Sequence, residues 1–292
     1  MNKINNKNKL SPGHSACAGC GQLSAVQSVM RALSDNTIIV NATGCLEVTT
    51  TKFPESAWNI SWLHSLFGNA SSVASGVRAA LENKKNNKTK VVVFAGDGGT
   101  YDIGMGQISG MWERADNVLY VCYDTEAYSN TGIQASGSTS YGASTTTTPA
   151  GEKSIGSSNH KKDMIGIALA HGLKYVAQSI SGFPEDIENK VKQALKAKGS
   201  SYIQILTPCI PGWKLNSDEA AYVGKLAVET GLYPLLEYVD GKLVKSSIDK
   251  NFRVKSIDKY LSVQKRFNHL KQKDKEKIQE IAKENIKKYK LK

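Results

Sequence analysis

Two short segments carry residues that could bind a phosphate group and a metal ion. Gly96-Asp97-Gly98-Gly99 follows an apolar run that begins at Val91, and Asp124-Thr125 follows a second apolar run that includes Val121. Glycines let backbone amides approach a phosphate closely, because they carry no Cβ atom. Asp97, Thr125 and main-chain carbonyls offer the oxygen ligands that Mg²⁺ prefers. The two segments therefore predict a magnesium ion that bridges a diphosphate.

Nucleotide-binding loops of two other kinds do not fit the spacing. The dinucleotide fingerprint needs glycines at positions one, three and six, but the sixth position counted from Gly96 is Tyr101, and counted from Gly104 it is Ser109. No Gly-x-x-x-x-Gly-Lys-Ser/Thr run occurs either. Gly-Asp-Gly alone is also typical of a tight turn after a strand, and the second segment favours a site over a turn.

Five cysteines offer a second kind of chemistry: Cys17, Cys20, Cys45, Cys122 and Cys209. A C-x-x-C pair alone fits a zinc knuckle, a thioredoxin-like redox pair or half of an iron-sulfur site. Cys45 and Cys209 each follow a predicted strand, so four thiolates could surround a 4Fe-4S cluster or a zinc ion. A redox pair would leave Cys45 and Cys209 unexplained. Cys122 lies inside an apolar strand and is interpreted as buried packing.

The elements that position these residues follow from apolar patterning and predict an α/β fold. Apolar spacing after Gly21 predicts a helix, and β-branched runs predict strands over 37–40 and 202–206. Further elements are predicted as helices over 70–81, 163–173 and 183–198 and a strand over 174–178. Parallel strands collect ligands at their carboxyl ends, which is where the glycines, Asp97, Thr125 and the later cysteines stand.

Five sequence blocks, in order, resemble the β subunits of pyruvate:ferredoxin oxidoreductases, which are pyruvate synthases. The blocks are Gly13-His14-Ser15-Ala16-Cys17-Ala18-Gly19-Cys20-Gly21, Asn41 to Val48, Ala57 to His64, Gly96 to Gly104, and Asp124 to Gly132. The resemblance covers roughly residues 11 to 240. It implies a thiamine-diphosphate-binding fold, in which a mostly parallel sheet is flanked by helices, and a 4Fe-4S cluster rather than zinc.

The resemblance also implies roles for individual residues. The Mg²⁺ ligands would be Asp97, Thr125 and the carbonyl of Ala127. The cluster ligands would be Cys17, Cys20, Cys45 and Cys209. Contacts to thiamine diphosphate would come from Gln22, Cys45, Gly96, Asp97, Gly98, Gly99, Thr125, Glu126, Ala127, Tyr128, Ser129 and Asn130. Related proteins often carry Glu at the position of Gln22, so only a neutral hydrogen bond is expected there. Asn130 would lie near the reacting centre as the catalytic residue.

The implied activity is oxidative decarboxylation of pyruvate to acetyl-coenzyme A and carbon dioxide, with electrons passed singly through the cluster to ferredoxin. In this family the glutamate that contacts the aminopyrimidine ring comes from a partner chain. The resemblance therefore implies an α subunit that supplies it, together with γ and δ subunits. Alternatives are a branched-chain 2-oxo acid:ferredoxin oxidoreductase, a thiamine decarboxylase or synthase without a cluster, and a zinc-stabilised binding protein.

Charge and composition divide the chain into two parts. The formal net charge is +12, of which +11 falls in residues 241–292 and +1 in residues 1–240. We expect one main domain over 1–240 and a basic, largely helical tail over 241–292, in which the stretch 263–289 has the pattern of an exposed helix. The tail lacks the interleaved aromatic residues of a nucleic-acid binder. A solvated face and docking on an acidic partner subunit or ferredoxin are the two interpretations of its charge.

The remaining features concern location and one long loop. No apolar stretch approaches the length of a membrane span and no signal sequence is recognisable, so a cytoplasmic location without membrane contact is expected. Residues 135–151 are small and polar and predict a long loop. Because this loop follows Asn130, it is expected to wrap the cofactor or pack on a partner chain, with a mobile linker as the alternative.

Overall fold

The computed structural model describes residues 8–247 and 254–291. Within them, eight strands form one sheet in the order β10-β9-β7-β8-β4-β3-β1-β2, and β5 and β6 form a small separate hairpin. In chain order the strands are β1 (Thr37–Ala42), β2 (Ser61–Ser65), β3 (Lys90–Gly96), β4 (Val118–Asp124), β5 (Ala150–Gly151), β6 (Ser154–Ile155), β7 (Tyr175–Ile180), β8 (Ser201–Leu206), β9 (Leu235–Val239) and β10 (Lys242–Ser247). Six neighbouring strands of the sheet, β7, β8, β4, β3, β1 and β2, are parallel to one another. Strands β9 and β10 extend the sheet beyond β7 as an antiparallel edge.

Helices cover both faces of the sheet. They are α1 (Gly21–Ala32), α2 (Cys45–Thr50), α3 (Ala70–Asn83), α4 (Met105–Glu113), α5 (Met164–Ala170), α6 (Pro184–Ala194), α7 (Ile210–Trp213), α8 (Ala220–Glu229), α9 (Ile257–Val263) and α10 (Gln272–Lys288). A π-helical turn over Gly98–Asp102 and a 3-10 turn over Lys265–Phe267 complete the set. Apolar side chains of α1 and α6 pack on one face, and those of α3, α4 and α5 pack on the other.

Continuous apolar sequence explains why β3 and β4 lie at the centre of the sheet. Every residue of β4 is buried, and Val92, Val93 and Phe94 of β3 have no exposed surface. A parallel strand that is covered on both faces must be apolar along its whole length, because neither face meets water. Cys122 is fully buried in β4, which confirms its interpretation as a packing residue.

The predicted fold class is confirmed, and most element predictions agree with the structure to within a few residues. The helix predicted over 70–81 is Ala70–Asn83, that over 163–173 is Met164–Ala170, and that over 183–198 is Pro184–Ala194. The strand predicted over 174–178 is Tyr175–Ile180. Since β1, β3, β4 and β8 are parallel, the segments that follow them meet at one edge of the sheet.

The loop over 135–151 lies close to the predicted site and is hydrogen-bonded to it. Ser138, Thr139 and Ala143 are buried, and the Ser136 hydroxyl donates to Asp97 Oδ2 at 2.6 Å. The Thr139 hydroxyl donates to the carbonyl of Glu126 at 2.9 Å, and the Ser138 hydroxyl donates to Asp124. The loop therefore packs against the ends of β3 and β4 within this chain.

The C-terminal segment differs from the exposed helix that its charge pattern predicted. In the described part of the tail, α9, the 3-10 turn and α10 share a hydrophobic cluster with Trp213 and with α8. Ile278 and Ala282 of α10 are buried, while five of the six lysines of this helix are exposed and Lys275 is partly exposed. The domain boundary at residue 240 stays a prediction. No helix in the described ranges has the length and apolar character needed to cross a lipid bilayer.

Candidate cofactor site

A cavity of about 260 Å³ opens at the carboxyl ends of β1, β3 and β4. Its lining includes most of the residues predicted to contact the cofactor: Gln22, Cys45, Gly96, Asp97, Gly98, Thr125, Ala127, Tyr128, Ser129 and Asn130. These residues come from the start of α1, the start of α2 and the segments that follow β3 and β4. Sequence segments that are separated by about a hundred residues therefore converge on one cavity.

The three predicted magnesium ligands lie together at one end of this cavity. Thr125 Oγ1 is 2.9 Å from Asp97 Oδ1 and 2.9 Å from the carbonyl oxygen of Ala127. The backbone amide of Thr125 also donates to Asp97 Oδ1, at 3.0 Å. A carboxylate, a hydroxyl and a carbonyl form the all-oxygen donor set that suits Mg²⁺.

The environment of Asp97 is suited to a cation. Its carboxyl is 1% exposed and its hydrogen-bond donors, Thr125 and Ser136, are neutral. Burial, followed by the charge of Asp124, raises the pKa of Asp97 to about 7. A cation bound beside the carboxylate would stabilise its charged form and oppose that shift. The residues present therefore fit a bound magnesium ion.

Gly98 is required by the close approach of an aromatic ring. A Cβ atom at this position would lie 2.4 Å from the ring of Tyr128, so only glycine leaves room for the ring. Tyr128 is fixed by its hydroxyl, which donates to Asp102 Oδ2 at 3.0 Å, and by edge contact with Phe67. Tyr128 and Phe67 form an apolar side of the cavity, next to the oxygen donors.

Two buried polar atoms on the cavity lining have no hydrogen-bond partner within the described residues. They are Oδ1 of Asn41 and the hydroxyl of Tyr123. An unpaired polar atom in a protein interior is costly, so both atoms are suited to a polar ligand. Sequence reasoning did not assign either residue. Asn41 lies near the end of β1, in one of the sequence blocks that carry the family resemblance. All residues of β4 are buried, so the sequence does not indicate that the hydroxyl of Tyr123 faces the cavity.

Two predicted cofactor contacts do not line the cavity. Gly99 lies in the π-helical turn, where a Cβ atom would be 3.2 Å from the carbonyl oxygen of Phe67. Glu126 points away from the cavity and forms ion pairs with Lys161 and Arg266. Burial alone would raise the pKa of Glu126, but the charges of Lys161 and Arg266 outweigh this effect and lower the pKa to about 2. The side chain of Glu126 is therefore an ion-pair partner in this structure.

The four cysteines predicted as cluster ligands are free thiols, and three of them act electrostatically on the fourth, Cys45. Burial, followed by the neighbouring thiols of Cys209, Cys20 and Cys17, raises the pKa of Cys45 to about 12. Burial also raises the pKa of Cys20 and of Cys209. Among the described residues, no three His, Cys, Asp or Glu side chains are grouped closely enough to hold a single metal ion.

Local structure brings the cysteines together. Cys20 precedes α1, Cys45 begins α2 and Cys209 precedes α7. A Cβ atom on Gly21 would lie 2.9 Å from the carbonyl oxygen of Pro208, so the start of α1 packs directly on the segment before Cys209.

Ser129 connects the thiols with the oxygen donors. Its hydroxyl donates to Thr125 Oγ1 at 2.9 Å, and Ser129 opposes the rise in the pKa of the Cys209 thiol that burial causes. Cys45 lines the same cavity as Asp97, Thr125 and Ser129, so this thiol and the oxygen donors lie at the same edge of the sheet.

Comparison with known proteins assigns this chain and its fold to a class. Residues 42–205 match the family model of the thiamine pyrophosphate enzyme C-terminal TPP-binding domain. Pyruvate synthase subunit PorB of Methanothermobacter marburgensis is 47% identical over 287 residues, which cover 96% of each chain. Ketoisovalerate oxidoreductase subunit VorB of Pyrococcus horikoshii is 39% identical over 272 residues, which cover 91% of this chain and 88% of the relative.

A solved structure shares the fold over almost the whole chain. It is 2-oxoglutarate:ferredoxin oxidoreductase from Magnetococcus marinus with 2-oxoglutarate, coenzyme A and succinyl-CoA bound. The TM-score is 0.61 at 23% identity, with 95% of this chain and 96% of that chain covered. The chain belongs to the 2-oxo acid:ferredoxin oxidoreductase family of thiamine pyrophosphate enzymes, in the group that includes PorB and VorB. The resemblance found in the sequence is thus confirmed.

Proposed function

We propose that this chain is the thiamine diphosphate and iron-sulfur subunit of a pyruvate:ferredoxin oxidoreductase. The complex would convert pyruvate and coenzyme A to acetyl-coenzyme A and carbon dioxide, and its electrons would pass one at a time through a 4Fe-4S cluster to ferredoxin. The observation that carries the proposal is the group of oxygen donors formed by Asp97, Thr125 and Ala127, which shares one cavity with Cys45 at the carboxyl ends of the strands. Pyruvate is favoured over a branched-chain acid because identity is 47% to a PorB and 39% to a VorB.

Thiamine diphosphate, when bound, supplies the nucleophilic carbon and the electron sink that decarboxylation requires. The residues of this chain would bind and orient it. Asp97, Thr125 and the carbonyl of Ala127 would hold the Mg²⁺ ion, and the backbone at Gly96 and Gly98 would lie against the diphosphate. Gln22, Cys45, Asn41 and Tyr123 would offer polar atoms to the remainder of the cofactor, and Asn130 would hydrogen-bond the substrate oxygens.

Cys17, Cys20, Cys45 and Cys209 would bind the cluster. In a 4Fe-4S cluster each cysteine binds a different iron atom, so the four sulfur atoms stand farther apart than four sulfur atoms around one zinc ion. Thiols that are near one another, but not grouped around a single-ion position, are compatible with the cluster.

Catalysis would need other chains. By family membership, an α subunit would supply the glutamate for the aminopyrimidine ring, and γ and δ subunits would complete the path to ferredoxin. The structure of 2-oxoglutarate:ferredoxin oxidoreductase, which shares this fold, was solved with coenzyme A bound, and coenzyme A is the acyl acceptor proposed here.

Anaerobic purification of the complex tests the proposal through its cofactors. We expect thiamine, iron and sulfide in the purified complex, and dye reduction with pyruvate that exceeds the reduction with branched-chain 2-oxo acids. Cys17→Ser should remove cluster iron without unfolding the chain, because Cys17 is exposed, whereas Cys122→Ala should retain it. A colourless complex that lacks thiamine would favour a zinc-stabilised binding protein. Full activity in Cys17→Ser would favour a thiamine enzyme without a cluster.

A further inference from the structure

The backbone of Glu126 is strained at the point where the cation ligands are arranged. Glu126 lies between Thr125 and Ala127, and its φ angle is +59°. This left-handed conformation is unfavourable for a residue with a Cβ atom, and it persists only where surrounding contacts enforce it. The turn places the hydroxyl of Thr125 and the carbonyl of Ala127 on the same side, 2.9 Å apart. Contacts that fix the conformation of Glu126 therefore also fix the position of the Thr125 hydroxyl relative to the Ala127 carbonyl.

Two cations hold the carboxylate of Glu126. Lys161 Nζ is 2.9 Å from Oε1 and Arg266 Nη2 is 2.7 Å from Oε2, with the Glu126 side chain 4% exposed. Lys161 also pairs with Asp124 at 2.6 Å, which fixes the end of β4. The result is a chain of charges behind the oxygen donors, in which Asp124, Glu126 and Arg266 are buried and Lys161 is partly exposed.

Arg266 belongs to the 3-10 turn of the C-terminal segment and is itself tightly held. Its guanidinium lies 3.7 Å from the ring centroid of Trp213 and 4.7 Å from that of Phe267, and only 2% of its side chain is exposed. Its Nε donates to Gln264 Oε1 at 3.0 Å. Trp213 in turn donates from Nε1 to the carbonyl of Thr125 at 2.8 Å. The stacked pair of Arg266 and Trp213 thus holds both Glu126 and the residue before it.

We propose that Arg266 is a positioning residue for the magnesium and diphosphate site and acts through Glu126. The C-terminal segment would then support the cofactor site indirectly, through contacts with residues next to the cation ligands and without touching the cofactor. This inference rests on the proposed function, because it assumes that Thr125 and Ala127 bind the Mg²⁺ ion. Outer-sphere partners of metal ligands typically change metal affinity by about 10-fold to 100-fold when they are removed.

The test measures the Mg²⁺ concentration that half-saturates thiamine diphosphate binding in the assembled complex. Arg266→Met should raise it by about 10-fold to 100-fold, and excess Mg²⁺ should restore binding. Arg266→Lys should restore part of the affinity, because it keeps the charge but not the planar fork. The double variant Glu126→Gln with Arg266→Met should lose less than the sum of the two single effects, since both changes break the contact between Glu126 and Arg266 and only Glu126→Gln also weakens the pair with Lys161. Arg114→Met, which removes an exposed ion pair with Asp116, is the matched control and should leave the requirement unchanged.

Glu126→Gly separates positioning from fold stability. Glycine accepts the left-handed conformation without strain but removes the anchored carboxylate. We expect it to raise the Mg²⁺ requirement even if Arg266→Met fails to assemble. Wild-type Mg²⁺ dependence in Glu126→Gly, or in an assembled Arg266→Met complex, would overturn the inference. Failure of the wild-type complex to bind thiamine diphosphate would instead overturn the proposed function.

Discussion

The carboxylate of Asp97 accepts hydrogen bonds from neutral donors only and is almost completely buried. Asp97→Asn keeps the shape of the side chain but removes the negative charge that would attract Mg²⁺. Because loss of an outer-sphere partner already costs up to about 100-fold in metal affinity, loss of this ligand should weaken Mg²⁺-dependent thiamine diphosphate binding at least as much. Titration calorimetry on the complex measures this change.

A matched control for Asp97 is available on the surface. Asp116→Asn removes a carboxylate that pairs with Arg114, and it should leave cofactor binding unchanged. If Asp97→Asn bound Mg²⁺ and thiamine diphosphate as the wild type does, Asp97 would not be a magnesium ligand.

Gly98 offers a test of shape rather than charge. Gly98→Ala would place a methyl group 2.4 Å from the ring of Tyr128 and force that ring, which lines the cavity, out of its position. We expect weaker thiamine diphosphate binding in fluorescence titrations. Gly106→Ala is the control, because its Cβ meets open space in the exposed face of α4 and should stabilise the helix by up to about 1 kcal/mol. Equal affinity of both variants for thiamine diphosphate would show that the ring of Tyr128 can move without weakening cofactor binding.

The sequence predicted residue positions well where a local motif determined them. Asp97 and Thr125 each directly follow a strand, the carbonyl of Ala127 was assigned by the family resemblance, and the three oxygens lie together. Glu126 was predicted as a cofactor contact from its place in the same segment. Its side chain instead points toward Arg266, which is 140 residues away, and no local pattern reports such a partner.

Among the elements, the strands were the most predictable and the C-terminal helix the least. The apolar runs of β3 and β4 are continuous, so their burial follows from composition. In α10, the few apolar residues recur at Ile278, Ala282 and Ile286, which is one face of a helix. The surface that covers this face is built by α8, α9 and Trp213. That surface forms only when the chain folds, so it cannot be recognised in the sequence of α10. The high lysine content alone therefore predicted an exposed helix.

Packing of α10 is tested by placing a charge on its buried face. Ala282 has no exposed surface, so Ala282→Asp would bury an unpaired carboxylate and should lower the free energy of unfolding by about 3 kcal/mol or more. Lys283→Asp makes a comparable change on the exposed face and should have a much smaller effect. Urea unfolding followed by circular dichroism compares the two. Similar stability in both variants would mean that the tail is solvated, as its charge suggests.

At the scale of the whole molecule, the two edges of the sheet differ in their relation to the cavity. Strand β2 forms one edge, and its neighbourhood exposes Leu63, Leu66 and Val48, while the adjacent residues Phe67 and Leu46 line the cavity. Strand β10 forms the opposite edge, where Val244 is exposed. A partner that supplies a glutamate to a cofactor in this cavity must cover the mouth of the cavity. The apolar residues around β2 are suited to that contact, because they are adjacent to residues that line it.

The edge at β2 should therefore be needed for assembly, whereas the edge at β10 should not. Leu66 is 73% exposed, so Leu66→Asp should leave the fold and the thermal unfolding of the isolated chain unchanged. It should weaken association with the proposed α subunit at least about tenfold, because each 1.4 kcal/mol or so of lost interface energy is a factor of ten. Val244→Asp makes the same change at a side chain that is 56% exposed on the opposite edge, and it should assemble normally. Co-expression followed by gel filtration and dye-reduction assays compares the variants. If Leu66→Asp assembled like the wild type while Val244→Asp did not, the partner that completes the active site would bind at the β10 edge. Its glutamate would then have to reach the cavity at β1, β3 and β4 from that edge.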